Sequence, residues 1–402
     1  MAPITLNCEV VTPMFLAGAD GITPELRPPS IKGAMRWWFR AMMGGILVNK
    51  YSGKELLNHL TKLESEIFGS TEKKSKFGIF VKESIKNENT RIINFKDFKV
   101  DDGRKRNCIR YMGYGLGEGA MKKSYIVPGT EIIFNISFMN TNELHKKIII
   151  GSFWLLIYLG SLGARARRGW GNLKINSEHN LFDLKLKNPK IENYSDYLQK
   201  SISIIRDDFI TYSKTNNNEI NFTGRPDFSM IHPKCWELLI EKNPQIGFEN
   251  ALSNAGFLLR NFRESNIKHK RFSSSGKPIH YQITRDYQNV KAFFNNPKQH
   301  KTPTCSIFGL PHQYQFQSKG EKVMIIGEKE ERRASPLLFK FVEQNNNYYL
   351  MLQSFKSKFI SGNLKFENMN NINDYDFVMP PNYNEIDNFM NQFKNNSWEV
   401  KL

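Results

Sequence analysis

A chain of 402 residues is long for one compact core, so its length favours two domains. Hydrophobic residues make up 40% and aromatic residues 13%, which excludes an intrinsically disordered chain. The 57 lysines and arginines exceed the 39 acidic residues and give a formal net charge of +18. Such a surplus favours a nucleic-acid partner where the cations cluster, whereas scattered solvated lysines need bind nothing, so their placement decides.

The four cysteines lie far apart, which excludes a zinc knuckle and argues against a disulfide framework. This favours a reducing compartment, and the first residues show a strand pattern without signal-peptide features, so we expect a cytoplasmic protein. Residues 148–164 carry no charge, and their number is near the lower limit of a membrane span. Glycines interrupt this stretch and arginines follow it, so we expect no membrane contact but a buried helix packed between a sheet and a neighbouring subunit.

The first half of the chain begins with a strand whose apolar side chains alternate from Ile4 to Val10. After a loop rich in glycine and proline, Ser30 stands at an N-cap position, and apolar residues repeat at helical spacing until Gly44 and Gly45. A second helix is predicted over residues 54–68. The remaining predicted elements are strands near residues 77–82, 92–100 and 131–138, a helix from about Glu143 and a short strand over residues 172–175.

This order of strand, helix, strands, helix and strand is the split βαβ pattern of a ferredoxin-like fold. We expect a first domain over residues 1–186, with a loop excursion over 101–124, and a polar linker over residues 187–218. Residues 219–402 predict a second domain, with strands over 219–230, 322–326, 334–342 and 348–355 and helices over 249–263 and 385–393. The predicted fold class is α+β: tandem ferredoxin-like (RRM-like) domains, each with an antiparallel sheet and helices on one face.

A basic helix is predicted in the segment ELRPPSIKGAMRWWFRA, residues 25–41, where Lys32, Arg36 and Arg40 fall on one face. A stripe of cations beside the free amides of a helix N-terminus suits a phosphate chain, and Trp37 is placed to stack on a base. A surface helix with a solvated cationic face, and with Trp37 or Trp38 in the core, explains the same pattern. The spacing leaves both interpretations open.

The segment LGARARRGWGNL, residues 162–173, concentrates arginines between glycines, and we call residues 163–171 the arginine loop. Glycines allow the backbone to approach a ligand closely, and guanidinium groups pair with phosphate oxygens or stack on bases. A structural loop seldom gathers arginines without a nearby acidic residue, so we predict RNA contact here. The residues concerned are Arg165, Arg167 and Arg168, with Trp170 as a further stacking face.

A weaker basic run lies in the second half, at and after a predicted helix: Arg260, Arg263, Lys268, Lys270 and Arg271. We include Arg260 and Arg263 among the predicted RNA-binding residues. Acidic residues such as Glu264 neutralise part of this charge, so the run fits a protein interface equally well.

The sequence offers little for an enzyme. Its eight histidines are isolated, without the helical i, i+4 spacing of a metal site, and neither a phosphate-binding nor a dinucleotide-binding glycine motif occurs. We therefore expect no metal, no cofactor and no catalytic residue. Asp20, in the loop before the basic helix, is the one carboxylate to consider for RNA cleavage, and shaping that loop is its more natural role.

Several of these motifs together resemble a known family. The segment 25–41, IFGS at 67–70, YMGYG at 111–115 and the segment 162–173 are similar to motifs of the RAMP superfamily of CRISPR-associated proteins. FGLP at 308–311 and RRASPLLFK at 332–340 add a resemblance to the first-numbered subunits of the Cmr effector, the type III-B CRISPR complex. The motifs extend from residue 25 to residue 340, so the resemblance covers most of the chain.

The resemblance implies tandem RAMP domains in a non-catalytic, RNA-binding subunit of a CRISPR ribonucleoprotein that serves antiviral defence. The implied partners are CRISPR guide RNA, target single-stranded RNA and other RAMP subunits of the Cmr complex. In the family, the basic helix and the arginine loop are the expected RNA-contacting surface. Two alternatives stay open: a RAMP-type endoribonuclease that processes guide RNA or cuts target RNA, and an adaptor whose basic face meets acidic subunits.

Overall fold

The structure is a computed structural model that describes residues 3–18, 20–21, 23–82, 87–100, 108–117, 123–215, 222–272, 278–292, 301–316, 321–368 and 375–402. Its helices are α1 (Pro28–Leu47), α2 (Gly53–Phe68), α3 (Ile109–Met112), α4 (Glu143–Leu159), α5 (Tyr194–Ser213), α6 (Phe248–Arg263), α7 (Tyr287–Ala292) and α8 (Asn384–Lys394). Its strands are β1 (Ile4–Val10), β2 (Phe77–Lys82), β3 (Thr90–Ile92), β4 (Ser124–Ile126), β5 (Glu131–Phe138), β6 (Leu173–Ile175), β7 (His179–Leu181), β8 (Leu184–Leu186), β9 (Trp236–Glu241), β10 (Gln245–Ile246), β11 (Glu264–Phe272), β12 (Pro278–Thr284), β13 (His312–Phe316), β14 (Glu321–Gly327), β15 (Leu337–Gln344), β16 (Asn347–Phe355), β17 (Leu364–Asn368), β18 (Tyr375–Val378) and β19 (Ser397–Val400).

The chain divides into two compact units. The first consists of residues 1–256, 338–355 and 394–402, and the second consists of residues 257–337 and 356–393. The first unit thus includes two segments from late in the chain. A division into consecutive ranges of the sequence cannot describe such a unit. The domains at 1–186 and 219–402, with a linker at 187–218, stay a prediction.

The first unit contains a four-stranded antiparallel sheet in the order β2-β5-β1-β6. With α1 after β1 and α4 after β5, this is the ferredoxin-like arrangement that the order of elements predicts. Strand β1 turns Leu6, Cys8 and Val10 into the core and leaves Thr5 and Asn7 exposed. The predicted period of two is therefore confirmed in this strand.

Helix α1 continues past the two glycines that the sequence suggested as its end. The N–H of Ile231 donates to the carbonyl oxygen of Ala41 at 2.8 Å, so the chain crosses the helix closely at this point. A Cβ atom on Gly45 would lie 2.0 Å from the carbonyl oxygen of Ile231, and one on Gly44 would lie 2.7 Å from the ring of Phe228. These glycines therefore permit close packing rather than end the helix.

Helix α4 accounts for the long uncharged stretch, because residues 148–159 are all buried. The helix contacts α1, α2 and β6, and it also contacts α5. We expected a neighbouring subunit to cover α4, but α5 of the same chain packs against it. Across the described ranges, the helices are too short or too polar for any of them to span a bilayer.

Helix α5 lies inside the segment that we predicted to be a polar linker. Its buried side chains recur at helical spacing. Its other face is so polar that the overall composition of the segment does not indicate a helix. Ile205 and Phe209 pack against Gly151 of α4, where a Cβ atom would lie 3.2 Å from the Ile205 side chain. The segment predicted to be a polar linker therefore contains a packed helix over 194–213, and the asparagine run 216–218 lies outside the described residues.

A second antiparallel sheet in the first unit has the order β10-β16-β9-β19, and β15 pairs with β16. The predicted strands at 348–355 and 334–342 correspond to β16 and, in part, to β15. The predicted strand at 219–230 is wrong, since residues 222–230 form no strand and the strand of this region is β9. The predicted strand at 92–100 is also wrong, because β3 ends at Ile92 and turns follow it.

The second unit contains an antiparallel sheet in the order β13-β14-β17-β18 and the hairpin β11-β12. Helix α8 packs Phe389 against Phe262 and Phe308, with ring centroids 5.3 Å and 6.2 Å apart. The predicted helix at 385–393 and the predicted strand at 322–326 correspond to α8 and β14, so both predictions are confirmed.

Strand β15 carries a buried cation, Lys340, which is 1% exposed. Its Nζ donates to the carbonyl oxygens of Gly160 at 2.8 Å and of Leu173 at 3.4 Å. These two residues flank the arginine loop. Burial lowers the pKa of Lys340 to about 7, because desolvation disfavours the ammonium form, while the nearby Cys8 opposes this shift in part.

The Lys340 amine makes a prediction about stability and pH. Its pKa is about 7 in the folded chain and about 10.4 in an unfolded one. Between these values the unfolded state binds more protons, so raising the pH stabilises the folded wild type relative to Lys340→Met, by about 1.4 kcal/mol per pH unit. Denaturant titrations of both proteins at several pH values above 7 measure this difference in the free energy of unfolding.

Lys54→Met on the exposed face of α2 is the matched control. Its free energy of unfolding should depend on pH as that of the wild type does, because this variant keeps the buried Lys340 amine. If the Lys340→Met and wild-type curves also stay parallel, the buried amine keeps its ordinary pKa and our interpretation is wrong.

Candidate nucleic-acid interface

The arginine loop is held by backbone hydrogen bonds to the segment after β1. The Ala164 N–H donates to the Phe15 carbonyl at 2.7 Å, and the Gly171 N–H donates to the Pro13 carbonyl at 3.0 Å. Gly163 has φ +91°, and a Cβ atom there would lie 2.4 Å from the Phe15 oxygen. We predicted that these glycines let the backbone approach a ligand; in the structure they let the loop pack against its own chain.

The three arginines of the loop have different surroundings. Arg165 is exposed and has φ +61°, a left-handed conformation that costs about 1–2 kcal/mol in a residue with a Cβ atom. Its carbonyl accepts from the Arg168 N–H at 2.7 Å, which closes the turn. Arg167 and Arg168 are half-buried, and the Arg167 carbonyl accepts from the Phe339 N–H of β15 at 3.0 Å. The loop thus presents Arg165 most openly to solvent.

Trp37 brings the basic helix and the arginine loop together. The Arg167 guanidinium lies 5.0 Å from the centroid of the Trp37 ring, which is a cation–π distance. The same ring packs edge-on against Trp38 and Phe355, with centroids 4.8 Å and 5.5 Å away. Trp37 is therefore half-buried, and its ring contacts the Arg167 guanidinium instead of being fully available to stack on a base.

Lys32 and Arg36 of α1 bond to other segments of the first unit. The Lys32 Nζ donates to the Phe77 carbonyl at 2.7 Å and to Ser75 Oγ at 2.9 Å. Burial, and secondarily the charge of Arg36, lower the pKa of Lys32. Arg36 donates to the carbonyls of Phe68 at 3.0 Å and Gly69 at 2.7 Å, which lie at the C-terminal end of α2. Both cations are thus bonded to protein acceptors, and for Arg36 this agrees with the attraction of a helix C-terminus for positive charge.

Arg40 completes the predicted stripe and differs from its two neighbours. Its Nε pairs with Glu64 at 2.6 Å, while the Arg36 Nη1 pairs with the other oxygen of the same carboxylate at 3.1 Å. The Arg40 side chain stays 47% exposed, against 32% for Arg36. Of the three side chains, Arg40 is therefore the exposed one, whereas Lys32 and Arg36 are half-buried.

Trp170 does not have the role that its sequence context suggested. Its side chain is fully buried, and its ring packs edge-on against Phe15 and Phe98, with centroids 5.4 Å and 6.3 Å away. Because neither face of the ring reaches solvent, the prediction that Trp170 stacks on a base is wrong for this fold. The residue instead fixes the end of the arginine loop to the core.

The two arginines predicted in the second half are also engaged within the protein. Arg263 is 8% exposed, contacts His312 and lies 5.7 Å from the ring of Phe308. Arg260 is half-buried, and its Nε donates to Glu264 at 2.6 Å. The burial of Arg263 is incompatible with direct RNA contact, and the neutralising role of Glu264 is confirmed for Arg260. Lys268, Lys270 and Arg271 lie on β11.

The residues considered for catalysis also have structural partners. The Thr23 N–H and Oγ1 both donate to the Asp20 carboxylate, so Asp20 shapes its loop as we expected. His145 completes a capping box with Asn142 and pairs with Glu66 at 3.0 Å. Burial, with Lys234 and Arg206 nearby, lowers the pKa of His232 to about 4. Among the described residues, no three histidine, cysteine or acidic side chains are grouped as metal ligands would be.

Tyr114 is a surface feature that the sequence analysis did not select. It lies in the YMGYG motif and is 62% exposed. Its neighbour Gly115 touches the arginine loop, because a Cβ atom on that glycine would lie 3.1 Å from Arg165 Nη2. The available signal was a tyrosine between two glycines, which we treated only as a family motif.

The sequence of this chain is similar to those of known proteins. Residues 7–174 match the family model of the RAMP superfamily. The CRISPR system Cmr subunit Cmr1-2 of Pyrococcus furiosus is 33% identical over 188 residues, which are 42% of this chain and 92% of that protein. The subunit Cmr1-1 of the same organism is 27% identical over 349 residues, or 84% of this chain and 82% of that protein.

A solved structure supports the fold. The crystal structure of Cmr1 from Pyrococcus furiosus in its apo form has a TM-score of 0.60 and 22% sequence identity, and the match covers 100% of this chain and 99% of that one. This likeness confirms the predicted α+β class with tandem ferredoxin-like domains. The relative that is 33% identical, with 92% of its length covered, shows that the chain belongs to the Cmr1 family of CRISPR system Cmr subunits, within the RAMP superfamily whose model residues 7–174 match.

Proposed function

We propose that this chain is a non-catalytic RNA-binding subunit of a type III-B Cmr effector ribonucleoprotein. It contacts the CRISPR guide RNA and helps to capture target single-stranded RNA for antiviral defence, beside other RAMP subunits. The observation that carries the proposal is the arginine loop, which is rigidly held at both ends and presents an exposed Arg165 next to Arg167 and Arg168. The family relatives, which are subunits of Cmr systems, add support.

The loop binds RNA through its phosphates, which makes the contact independent of sequence. Guanidinium groups neutralise phosphates and release counterions, and the net charge of +18 steers the polyanion towards the chain. Reading of the target sequence is left to base pairing with the guide, as in other guided effectors. Rigid attachment lowers the conformational entropy that binding would otherwise remove from the loop.

The cations of the basic helix divide between two tasks in this proposal. Arg40, exposed at the surface of α1, offers a second cation to the RNA phosphates, while Trp37 of the same helix contacts the arginine loop through Arg167. Lys32 and Arg36 instead join α1 to the chain around β2 and α2 and act on RNA only by their long-range charge.

An endoribonuclease is the alternative, and the geometry favours it less. A metal-free ribonuclease needs an acid and a base beside the scissile phosphate. Asp20 already accepts two hydrogen bonds from Thr23, and His145 already participates in a helix cap and in a hydrogen bond with Glu66.

The first prediction concerns the salt dependence of RNA binding. The triple variant R165G/R167A/R168A should bind single-stranded RNA more weakly, and the log–log slope of affinity against salt should fall by about 2, at about 0.7 per lost contact. Glycine replaces Arg165 because φ +61° suits it, so the loop keeps its conformation. Fluorescence anisotropy across a salt series measures both quantities.

The matched control removes the same formal charge elsewhere. Lys54, Lys62 and Lys73 are exposed on and after α2, and their replacement by alanine leaves the arginine loop intact. We expect a small change in affinity and in slope for this control. Equal effects of the two triple variants would show that net charge alone attracts RNA, and would remove the arginine loop from the site.

The second prediction separates the two tasks of the basic helix. Arg36→Ala should lower the free energy of unfolding by about 1.5–3 kcal/mol, because it removes hydrogen bonds to the end of α2 and part of the Glu64 ion pair. Arg40→Ala should change stability little and reduce the salt slope of RNA binding by about 0.7. Thermal or denaturant unfolding and the anisotropy assay check the pair, and reversed effects would refute this division.

The third prediction addresses catalysis. Purified protein incubated with labelled RNA, with and without Mg²⁺, should yield no specific cleavage products. Specific products that disappear in Asp20→Ala or in a single His→Ala variant would establish the endoribonuclease instead.

Crosslinking of the intact complex tests the adaptor alternative, since an adaptor would give no RNA adducts on the arginine loop.

A further inference from the structure

The turn after α3 exposes an aromatic ring beside the arginine loop. The Gly113 N–H donates to the Ile109 carbonyl at 2.9 Å, and the Leu116 N–H donates to the Gly113 carbonyl at 2.9 Å. These bonds close a tight turn with Tyr114 near its tip. The tyrosine is 62% exposed, although its burial would stabilise the chain by about 1.5–3 kcal/mol, as for other large apolar side chains.

The packing beneath the turn explains why the ring cannot fold inwards. A Cβ atom on Gly113 would lie 2.7 Å from the Phe95 ring and 3.1 Å from Trp170, and one on Gly117 would lie 2.9 Å from Phe95. The underside of the turn is therefore filled by aromatic rings that already touch its backbone. The space beneath the turn is thus already occupied, which agrees with the exposure of the Tyr114 side chain.

The same turn meets the exposed arginine. Gly115 has φ +80°, and the absence of a side chain on it leaves space that the Arg165 guanidinium approaches, 3.1 Å from the Cβ position. Arg165 itself has φ +61°. Two residues in left-handed conformations thus place a guanidinium group next to the residue that follows Tyr114. Glycine adopts this conformation without a penalty, so the backbone strain is confined to Arg165, whose side chain is exposed at the surface.

We infer that Tyr114 and Arg165 form a binding site for one unpaired nucleotide of RNA. The tyrosine ring stacks on the exposed face of the base, and the Arg165 guanidinium pairs with an adjoining phosphate. The inference rests on the proposed function and specifies its substrate. A base inside a duplex has both faces covered by its neighbours, so this site selects single-stranded RNA over the guide-paired form.

A protein surface is the other class of partner for an exposed tyrosine. The surplus positive charge of the chain and the Arg165 guanidinium next to Gly115 favour RNA, because a guanidinium group pairs with a phosphate and a net charge of +18 attracts a polyanion. We therefore treat a protein contact as an outcome of the test.

The test compares single substitutions in the full chain by anisotropy, with a short labelled single-stranded RNA at several salt concentrations. Tyr114→Ala should raise Kd about 5- to 150-fold, the range for loss of one stacked base, and leave the salt slope unchanged. Arg165→Gly should reduce the slope by about 0.7. Tyr114→Trp should bind RNA like the wild type, because a tryptophan ring also stacks on a base. Phe80→Ala, which removes another exposed ring (65% exposed) from β2, is the matched control and should have no effect.

A second arm uses the same RNA annealed to its complement. Wild type should prefer the single strand, and Tyr114→Ala should lose most of this preference while keeping its duplex affinity. This readout reports recognition of an unpaired base and is insensitive to a small loss of stability.

The outcomes are distinguishable. If Tyr114→Ala binds single-stranded RNA like the wild type while the triple arginine variant has a lower slope, the stacking site is wrong and the proposed function stands. If neither variant changes RNA binding, the proposed function fails as well. If Tyr114→Ala binds RNA normally but no longer assembles with other Cmr subunits, Tyr114 is a protein contact and the inference is overturned.

Discussion

A buried lysine holds the candidate interface in place. Lys340 donates to Gly160 and Leu173, at either side of the arginine loop. Its neighbours extend this attachment: the Phe339 N–H donates to the Arg167 carbonyl, and the Phe341 N–H donates to Asn172 Oδ1. An amine without access to water is stable only when its hydrogens are bonded, so the strand and the loop must form together. The conformation of the loop thus depends on a strand far along the chain.

Arginine side chains have a structural role at one position of this chain and are exposed to solvent at another. Arg36 lies near the unsatisfied carbonyls at the end of α2 and bonds to them, whereas Arg165 lies in a turn and stays exposed. Arg167 is intermediate, since its guanidinium covers Trp37. The distribution of acceptors around each arginine, rather than its charge, decides how much of that charge is available to an external phosphate.

Much of the fold was predictable from local pattern. The alternation in β1, the helical repeats of α2, α4 and α8, and the order of elements led to the ferredoxin-like class. The errors have physical causes. Helix α5 was missed because its polar face masks the period of its buried side chains. Ser30 was taken as the N-cap of α1, but Arg27 occupies that position, and prolines follow it in the first turn. Proline is tolerated there because the N–H groups of the first turn have no partner within the helix.

The sequence alone determined the charge, the family motifs and the presence of arginines between glycines, because these are properties of residue type and spacing. Only the tertiary structure decided which of those side chains reach solvent. Trp170 is buried and Tyr114 is exposed although both stand between glycines in motif segments. The difference arises from rings that are distant along the chain: Phe15 and Phe98 pack around Trp170, and Phe95 fills the space beneath the turn of Tyr114. Such contacts join residues that are far apart in the sequence, so a local sequence pattern cannot predict them.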